Sequence, residues 1–319
     1  MKLIMQCDNM NSELVQIFSQ LCDHISDEYS LSGARKHQFR LMQIRKAKNT
    51  IKSLDFEITT LKQTSSLPGF GKGIQSRISE FLRTGKLKEL EIPENEDANT
   101  IRALCSVHGI GLARARDLLR QGVRSVLELQ SRSQTGQITL SNPIKIGLKY
   151  YDSISKRIPS EKIRRIEKYL HDQLPDSTFE ICGSYRRGCK TSGDIDILFR
   201  QDMTLRAVVK KLTASGFLVA HLTRDSDKKY MGICQFEDDF HRIDFLALKP
   251  EEWGTALLHF TGSRDFNRFI RAAAIRKGYK LTQYHLLDRE TAKVHNFMTE
   301  RDVFKYLEIE YLAPSERCL

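Results

Sequence analysis

The chain is 319 residues long, enough for more than one hydrophobic core, and it carries 51 Lys and Arg against 40 Asp and Glu, a formal charge of +11. That excess suits a polyanionic partner such as nucleic acid, while the lack of any apolar run near the length of a spanning helix argues against membrane insertion. The opening "MKLIMQCDNM" lacks the longer apolar core of a signal peptide, so the expectation is a soluble, intracellular protein. Cys7, Cys22, Cys105, Cys182, Cys189, Cys234 and Cys318 are scattered, odd in number and without a CxxC pair, which argues for reduced thiols over a disulfide framework or zinc site.

From Asn11 to about Lys156 the pattern is helical and basic, with glycine-containing turns and few β-branched runs. "LPGFGKGIQSRISEFL" (67–82) and "VHGIGLARARDLLRQG" (107–122) both run apolar, Gly, apolar, Gly, then an amphipathic helix. Gly69 and Gly71, and again Gly109 and Gly111, permit a tight turn and close backbone approach, leaving amide groups at a helix start to meet a phosphate. A single copy reads equally as an ordinary turn between packed helices; two copies in a basic chain point to helix-hairpin-helix modules that hold a DNA backbone without reading bases. "EIPENEDANT" (91–100), acidic and polar with a proline, is the expected linker between them. After Glu161 the texture is mixed. "IRRIEKYLHDQL" and "LRAVVKKLTASG" read as helices, and "FEICGS", "DIDILF", "YMGICQF" and "HRIDFLAL" as strands.

Within the mixed half, "GSYRRGCKTSGDID" (183–196) gathers a Gly-Ser pair, two arginines and two aspartates. Strand periodicity sets Asp194 and Asp196 on one face, with Ile195 and Ile197 on the other. A DxD pair alone fits a solvated strand end as well as a site for a hard divalent ion, above all Mg²⁺. Asp244 in "HRIDFLAL", flanked by apolar residues on its own strand, is the candidate third carboxylate of a two-metal site. Gly183 and Ser184, after a strand and before a short helix, offer amides and a hydroxyl to a phosphate, and Arg187 offers charge. Phosphate cradle and metal pair together make a stretch suited to binding and activating a nucleoside triphosphate.

In order, "GSYRRG…SGDID", "HRIDF" and "HFTGS…FN…R" resemble the family X DNA polymerases, on the plan of DNA polymerase beta, and the likeness runs from the first hairpin motif to "ERDVFKYLEIEYLAP". The resemblance implies a multidomain fold: an all-α N-terminal helix-hairpin-helix region, an α+β nucleotidyltransferase palm and a small C-terminal α+β subdomain. The expected segments are 1–90 (helical, lyase-like, first hairpin), 91–156 (helical, second hairpin), 157–256 (catalytic palm) and 257–319 (nascent base pair). The implied activity is template-directed, gap-filling DNA synthesis in base excision repair, by a nuclear monomer whose partners are gapped or nicked DNA and a dNTP. By the same resemblance Asp194, Asp196 and Asp244 hold two Mg²⁺ ions, and Asp244 helps to deprotonate the primer 3′-hydroxyl. Ser184, Arg187, Gly193 and Arg157 grip the triphosphate, and Arg242 faces the primer terminus. Phe260 to Gly262 crowd the sugar, Asn267 and Arg271 meet the nascent pair, and hairpin carbonyls hold Na⁺ or K⁺.

Taken singly, Arg157 and Arg271 also read as solvated charges and Phe260 as core. His259 stands where the family often has tyrosine, and Arg264 where polymerase beta has an acidic residue. The position of the lyase nucleophile, a lysine in polymerase beta, falls on Arg77. A guanidinium stays protonated and supplies no free amine for imine formation, so 5′-deoxyribose phosphate removal is not expected. Lys72, Lys86 and Lys88 lie nearby but off the matching position, while Arg40, Arg45 and Lys46 could still bind a 5′-phosphate. Two competing readings are a template-independent nucleotidyltransferase, which in this family goes with a long insertion where only "EDD" joins two strands here, and a non-catalytic DNA-binding protein.

Overall fold

A computed structural model describes residues 11–65, 67, 69–91, 95–200, 204–224 and 226–317 of the chain. Cys7, Cys318, the "MKLIMQCDNM" stretch, Pro68 and residues 92–94 of the expected linker lie outside the described residues. The five described cysteines are all free thiols, and no helix among the described residues is long and apolar enough to cross a membrane. The chain divides into two compact units, Met1–Thr139 and Leu140–Leu319.

Among its described residues the first unit is helical. Helices α1 (Ser12–Ser32), α2 (Arg35–Lys52) and α3 (Lys72–Thr84) bury one stripe each, Phe18, Leu21 and Ile25 against Ile44, Ile51 and Ile78, at the helical spacing the sequence carries. The side chain of Asn11 accepts from Ile58 N (2.8 Å) and donates to Phe56 O (2.9 Å), tying the start of α1 to the loop after α2. The linker expectation is corrected from Asn95 onward. Its side chain accepts from Asp97 N (2.9 Å) and caps α4 (Glu96–Cys105), whose first turn carries Glu96 and Asp97. The acidic residues read as loop composition are there a helix N-terminus, where negative charge opposes the helix dipole. Helices α5 (Leu112–Arg120) and α6 (Val126–Gln134) complete the unit.

Each hairpin motif takes the expected local shape. Gly69 and Gly109 hold φ of 89° and 86°, the left-handed region that favours glycine. Phe70 and Ile110 between the glycines are buried, while Gly71 and Gly111 cap α3 and α5 with open space around them.

The second unit begins with α7 (Asn142–Lys149) and α8 (Tyr151–Ile154), followed by β1 (Ile158–Pro159) and α9 (Ser160–Gln173). Next come β2 (Phe179–Ile181), the one-turn α10 (Gly183–Arg186), β3 (Thr191–Ser192), β4 (Ile195–Arg200) and α11 (Leu205–Ala214). Strands β5 (Leu218–His221), β6 (Lys229–Phe236) and β7 (Asp239–Leu248) finish a five-stranded sheet of order β2-β4-β7-β6-β5. Only β4 and β7 run parallel; the other pairs are antiparallel. One face of the sheet, with Ile195, Ile197, Phe199, Ile243 and Phe245, packs on Ile163 and Ile166 of α9 and on Val208 and Leu212 of α11. On the opposite face Leu198 and Leu246 are covered by Trp253 and Ala256 of α12 (Trp253–Thr261), and the same face further toward the strand starts carries the carboxylates. Helix α13 (Arg264–Arg276), the small antiparallel sheet of β8 (Tyr279–Leu281), β9 (Leu286–Asp288) and β10 (Val294–His295), and α14 (Glu300–Tyr306) close the chain.

Candidate active site

The parallel register sets Asp196 of β4 directly opposite Asp244 of β7. Both side chains point to the face that Leu198 and Leu246 share, as strand alternation requires. Asp194 stands one residue before β4 rather than on it, so the DxD pair joins a loop carboxylate to a strand carboxylate. One oxygen from each of Asp194, Asp196 and Asp244 lies within 4.8 Å of the others, the only such group among the described residues. Oδ1 of Asp244 is buried with no hydrogen-bond partner. Burial, then the neighbouring Asp244 carboxylate, pushes the Asp196 carboxyl up to about 6. Burial likewise raises Asp244, against the opposing charges of Arg242 and Lys229. Crowded, half-desolvated carboxylates with an unpartnered oxygen are a donor set short of positive charge, and hard divalent cations supply it.

The "GSYRRG" turn lies beside them. The chain leaves β2 with Cys182 N bonded to Asp196 O (2.8 Å) and turns at Gly183, whose φ is 63°. A side chain at 183 would bring its Cβ to 3.1 Å from Asp196 Oδ2, a tight approach, so space as well as the positive φ favours glycine there. Gly183 and Ser184 are themselves the first residues of α10, where the sequence reading had them between strand and helix. Ser184 Oγ donates to Ser192 Oγ (2.8 Å). The short β1–β3 ladder carries Arg157 alongside, its Nε donating to Thr191 Oγ1 (3.0 Å).

A cleft of about 770 Å³ takes in Arg157, Ser184, Arg187, Gly193, Asp194 and Asp196 together with Phe260, Gly262, Asn267 and Arg271 from the far end of the unit. Fourteen of the sixteen residues lining it stand in "GSYRRGCKTSGDID" or "HFTGSRDFNR", stretches separated by 62 residues; the other two are Arg157 and Arg271. Arg242 and Asp244 do not line the cleft and reach it through the carboxylate group. Residues Gly69, Gly71, Gly109 and Gly111 belong to the other unit. On the side of the cleft formed by α12 and α13, Asn267 Nδ2 donates to His259 O (2.8 Å), and Arg271 Nη2 is 3.1 Å from His259 Nδ1. Burial and the Arg271 charge lower the His259 pKa to about 4, so the ring is neutral near pH 7 and accepts at Nδ1.

Sequence reasoning missed a set of groups behind the cleft. Arg186 does not face it. Its Nη1 donates to Thr261 Oγ1 (2.7 Å), its Nη2 to Glu300 Oε2 (2.9 Å) and its Nε to Glu180 Oε1 (2.9 Å). Glu300 also accepts from Arg317 Nη1 (2.6 Å), and Arg317 is fully buried among Phe266, Phe304 and Tyr311. Arg187 Nη1 donates to Thr261 O (2.5 Å), so both motif arginines bind the segment that ends in Gly262. The sequence reading gives a phosphate contact to Arg187 and no role to Arg186, whose pairing with Glu300 has no local signal.

Arg77 is likewise engaged. Its Nε and Nη2 meet the Glu89 carboxylate, which also receives Arg40, and Arg40 reaches Glu28 at 2.9 Å. Arg77 thus stands at one end of an ion-pair chain that runs through Glu89 and Arg40 to Glu28.

Four known families match successive stretches of the chain. A helix-hairpin-helix domain matches residues 9–87, the fingers domain of DNA polymerase lambda 102–155, the DNA polymerase beta palm 157–250 and the DNA polymerase beta thumb 256–318. Similar proteins include DNA polymerase lambda of Rattus norvegicus, 28% identical over 323 residues that span 92% of this chain and 54% of the relative. DNA polymerase lambda of Arabidopsis thaliana is 30% identical over 344 residues, 98% of this chain and 63% of the relative. DNA nucleotidylexotransferase of Xenopus laevis is 26% identical over 352 residues, 95% of this chain and 68% of the relative. The chain thus spans less than two thirds of the length of either polymerase lambda.

Proposed function

Because the chain belongs to family X of the DNA polymerases, we propose that it is a template-directed, gap-filling DNA polymerase of DNA repair that adds dNMP to a primer 3′-hydroxyl. The observation that carries this reading is the meeting of Asp194, Asp196 and Asp244 within 4.8 Å beside a cleft lined by Ser184, Arg187 and Gly193. Three hard oxygen donors, one with an orphaned atom, fit Mg²⁺. Two such ions, held by Asp194, Asp196 and Asp244, would neutralise the triphosphate and orient the attacking and leaving oxygens. Asp244, its carboxyl raised by burial, is the group positioned to take the proton of the 3′-hydroxyl. Ser184 and Arg187 orient the phosphates, with Gly193 and Arg157 alongside. Phe260 and Gly262 bound the sugar, and Asn267 and Arg271 the base, while Arg242 sits on the primer side of the carboxylates.

In the proposed division of labour, segments 1–90 and 91–156 hold gapped or nicked DNA by phosphate contacts at Gly69–Gly71 and Gly109–Gly111, with Na⁺ or K⁺ on their carbonyls. Segment 157–256 is the palm and 257–319 encloses the nascent pair. The protein works as an intracellular, nuclear monomer. Arg77, bound by Glu89, leaves no amine for lyase chemistry at that position.

A second reading is template-independent addition, favoured by the similarity to a DNA nucleotidylexotransferase. Against it, β6 and β7 pair as far as Phe236 with Asp239, leaving a two-residue loop where an insertion would stand. A non-catalytic role would predict loss of a carboxylate or of the Gly-Ser pair, and all are present.

The test is extension of a primer on a one-nucleotide gap with each dNTP in turn, in Mg²⁺ and in EDTA. The expected result is metal-dependent addition of the complementary nucleotide, reduced by about a thousandfold or more in Asp244→Ala while gapped-DNA binding is kept. Equal extension of a single-stranded primer would favour the second reading, and absence of any extension would refute both.

A further inference from the structure

Arg242 precedes Asp244 by two residues on β7, so the two side chains leave the sheet on the same face. Its Nη2 is ion-paired with Asp194 Oδ2 and lies 3.7 Å from Asp244 Oδ2. Its Nε is buried without a hydrogen-bond partner. Among the described residues no other cation is in ion-pair contact with the three carboxylates: Arg157 is bonded to Thr191 and Arg187 to Thr261 O. Lys229 acts on Asp196 and Asp244 only through its field. The guanidinium therefore touches two members of the one carboxylate group while leaving part of its own hydrogen-bonding capacity unused. That geometry is governed by charge more than by a complete set of hydrogen bonds.

A divalent ion shared by Asp194 and Asp244 would stand within a few ångströms of this guanidinium, and like charges at that spacing in a half-buried site repel strongly. The same oxygens cannot hold both cations well. We propose that Arg242 is an internal counter-ion of the carboxylate group, displaced from Asp194 when a divalent ion binds, so that metal loading is an exchange of cations. The inference rests on the reading of this group as a metal centre and adds what fills it beforehand. One consequence is linkage. A phosphate within reach of Arg242 offers the guanidinium another strong partner, so a bound polyanion raises metal affinity, and by reciprocity metal raises affinity for the polyanion.

The experiment uses the full chain without DNA or nucleotide, with Mn²⁺ as the probe and its binding read by electron paramagnetic resonance. Arg242→Gln is expected to bind Mn²⁺ at least tenfold more tightly than the parent. Lys229→Gln, which removes a nearby charge that makes no contact, is expected to change the affinity less than threefold. Arg242→Lys, which keeps the charge, is expected to stay within threefold of the parent. In the parent chain, the ¹⁵N–H resonance of Arg242 Nε, assigned by its loss in either Arg242 variant, should move on titration with Mg²⁺ in step with binding. If Arg242→Gln and Lys229→Gln tighten binding equally, or the Arg242 resonance stays still while the metal binds, the exchange is refuted and the metal centre stands. If Mn²⁺ binding survives Asp196→Asn and Asp244→Asn, or is absent in every form, the metal-centre reading itself fails and the exchange falls with it.

Discussion

Asp196 sits in surroundings that suit its protonated form, since burial and Asp244 raise it from 3.8 to about 6. The folded chain thus binds this proton more tightly than the unfolded one. The resulting stabilisation is full below pH 3.8 and is lost as the pH rises through about 6, so near pH 7 the ionised pair opposes folding. In EDTA at pH 7.5, Asp196→Asn should therefore be more stable than the parent by about 1–3 kcal/mol, seen as a melting temperature a few degrees higher. The difference should shrink toward pH 4, and Mg²⁺ should raise the melting temperature of the parent but not of the variant. A variant no more stable than the parent in EDTA would count against the crowding of charge described above. Residue types and spacing singled out all three aspartates, Ser184 and Arg187, because each sits in a short motif, whereas Asn267 and Arg271 came only from the family resemblance; the cleft gathers Asp194, Asp196, Ser184, Arg187, Asn267 and Arg271. The pairing of neutral His259 with Arg271 was not, because it joins two helices through a contact that leaves no periodic trace.

The elements were legible where periodicity was strong: α9, α11, β6 and β7 fall on the stretches that alternate or repeat most clearly. The acidic run after Ile92 misled because composition describes a loop and a helix N-terminus alike; only the side-chain cap of Asn95 tells them apart. Helix α3 shows the opposite case, a substitution whose meaning sharpens in three dimensions. Arg77 is ion-paired with Glu89, so a lysine introduced there would meet the same carboxylate and be held as the ammonium. Borohydride should trap little or no parent protein on a 5′-deoxyribose phosphate. Arg77→Lys alone should trap little more, whereas Arg77→Lys with Glu89→Gln should give the larger adduct of the three. Efficient trapping of the parent would refute this, and single substitutions at Lys72, Lys86 and Lys88 would then locate the amine.

Across the whole molecule, the proposed function and the excess positive charge of +11 would make affinity for DNA a matter of counterion release. Binding to gapped duplexes should fall steeply and linearly on a log–log plot against salt and vary little with sequence; a flat response or a strong sequence preference would contradict phosphate holding by the hairpins. Long-range order was the part least legible in advance. Nothing near Arg317 announces that it will be fully buried, or that Glu300, 5% exposed, will bridge it to Arg186. Glu300→Gln leaves buried Arg317 without its counter-ion and Arg186 with Glu180 alone, and should lower the urea-unfolding stability of the Leu140–Leu319 unit by about 3–5 kcal/mol. It should also weaken nucleotide use, because Arg186 and Arg187 both hold Thr261, next to Gly262.

The facing of Asp196 and Asp244 has a further meaning as a matter of alignment. Slipping β7 by one residue against β4 would turn Ile243 and Phe245 away from α9 and α11 and expose the packed face of the sheet. Slipping it by two preserves the faces but sets Asp244 opposite Leu198, in the half roofed by Trp253. Both errors are opposed by aliphatic and aromatic side chains that do not line the cleft. The gauge that spaces the two acids is therefore the core itself, and a substitution at Ile197, Phe245 or Trp253 that leaves the fold standing would still be read out as altered metal preference.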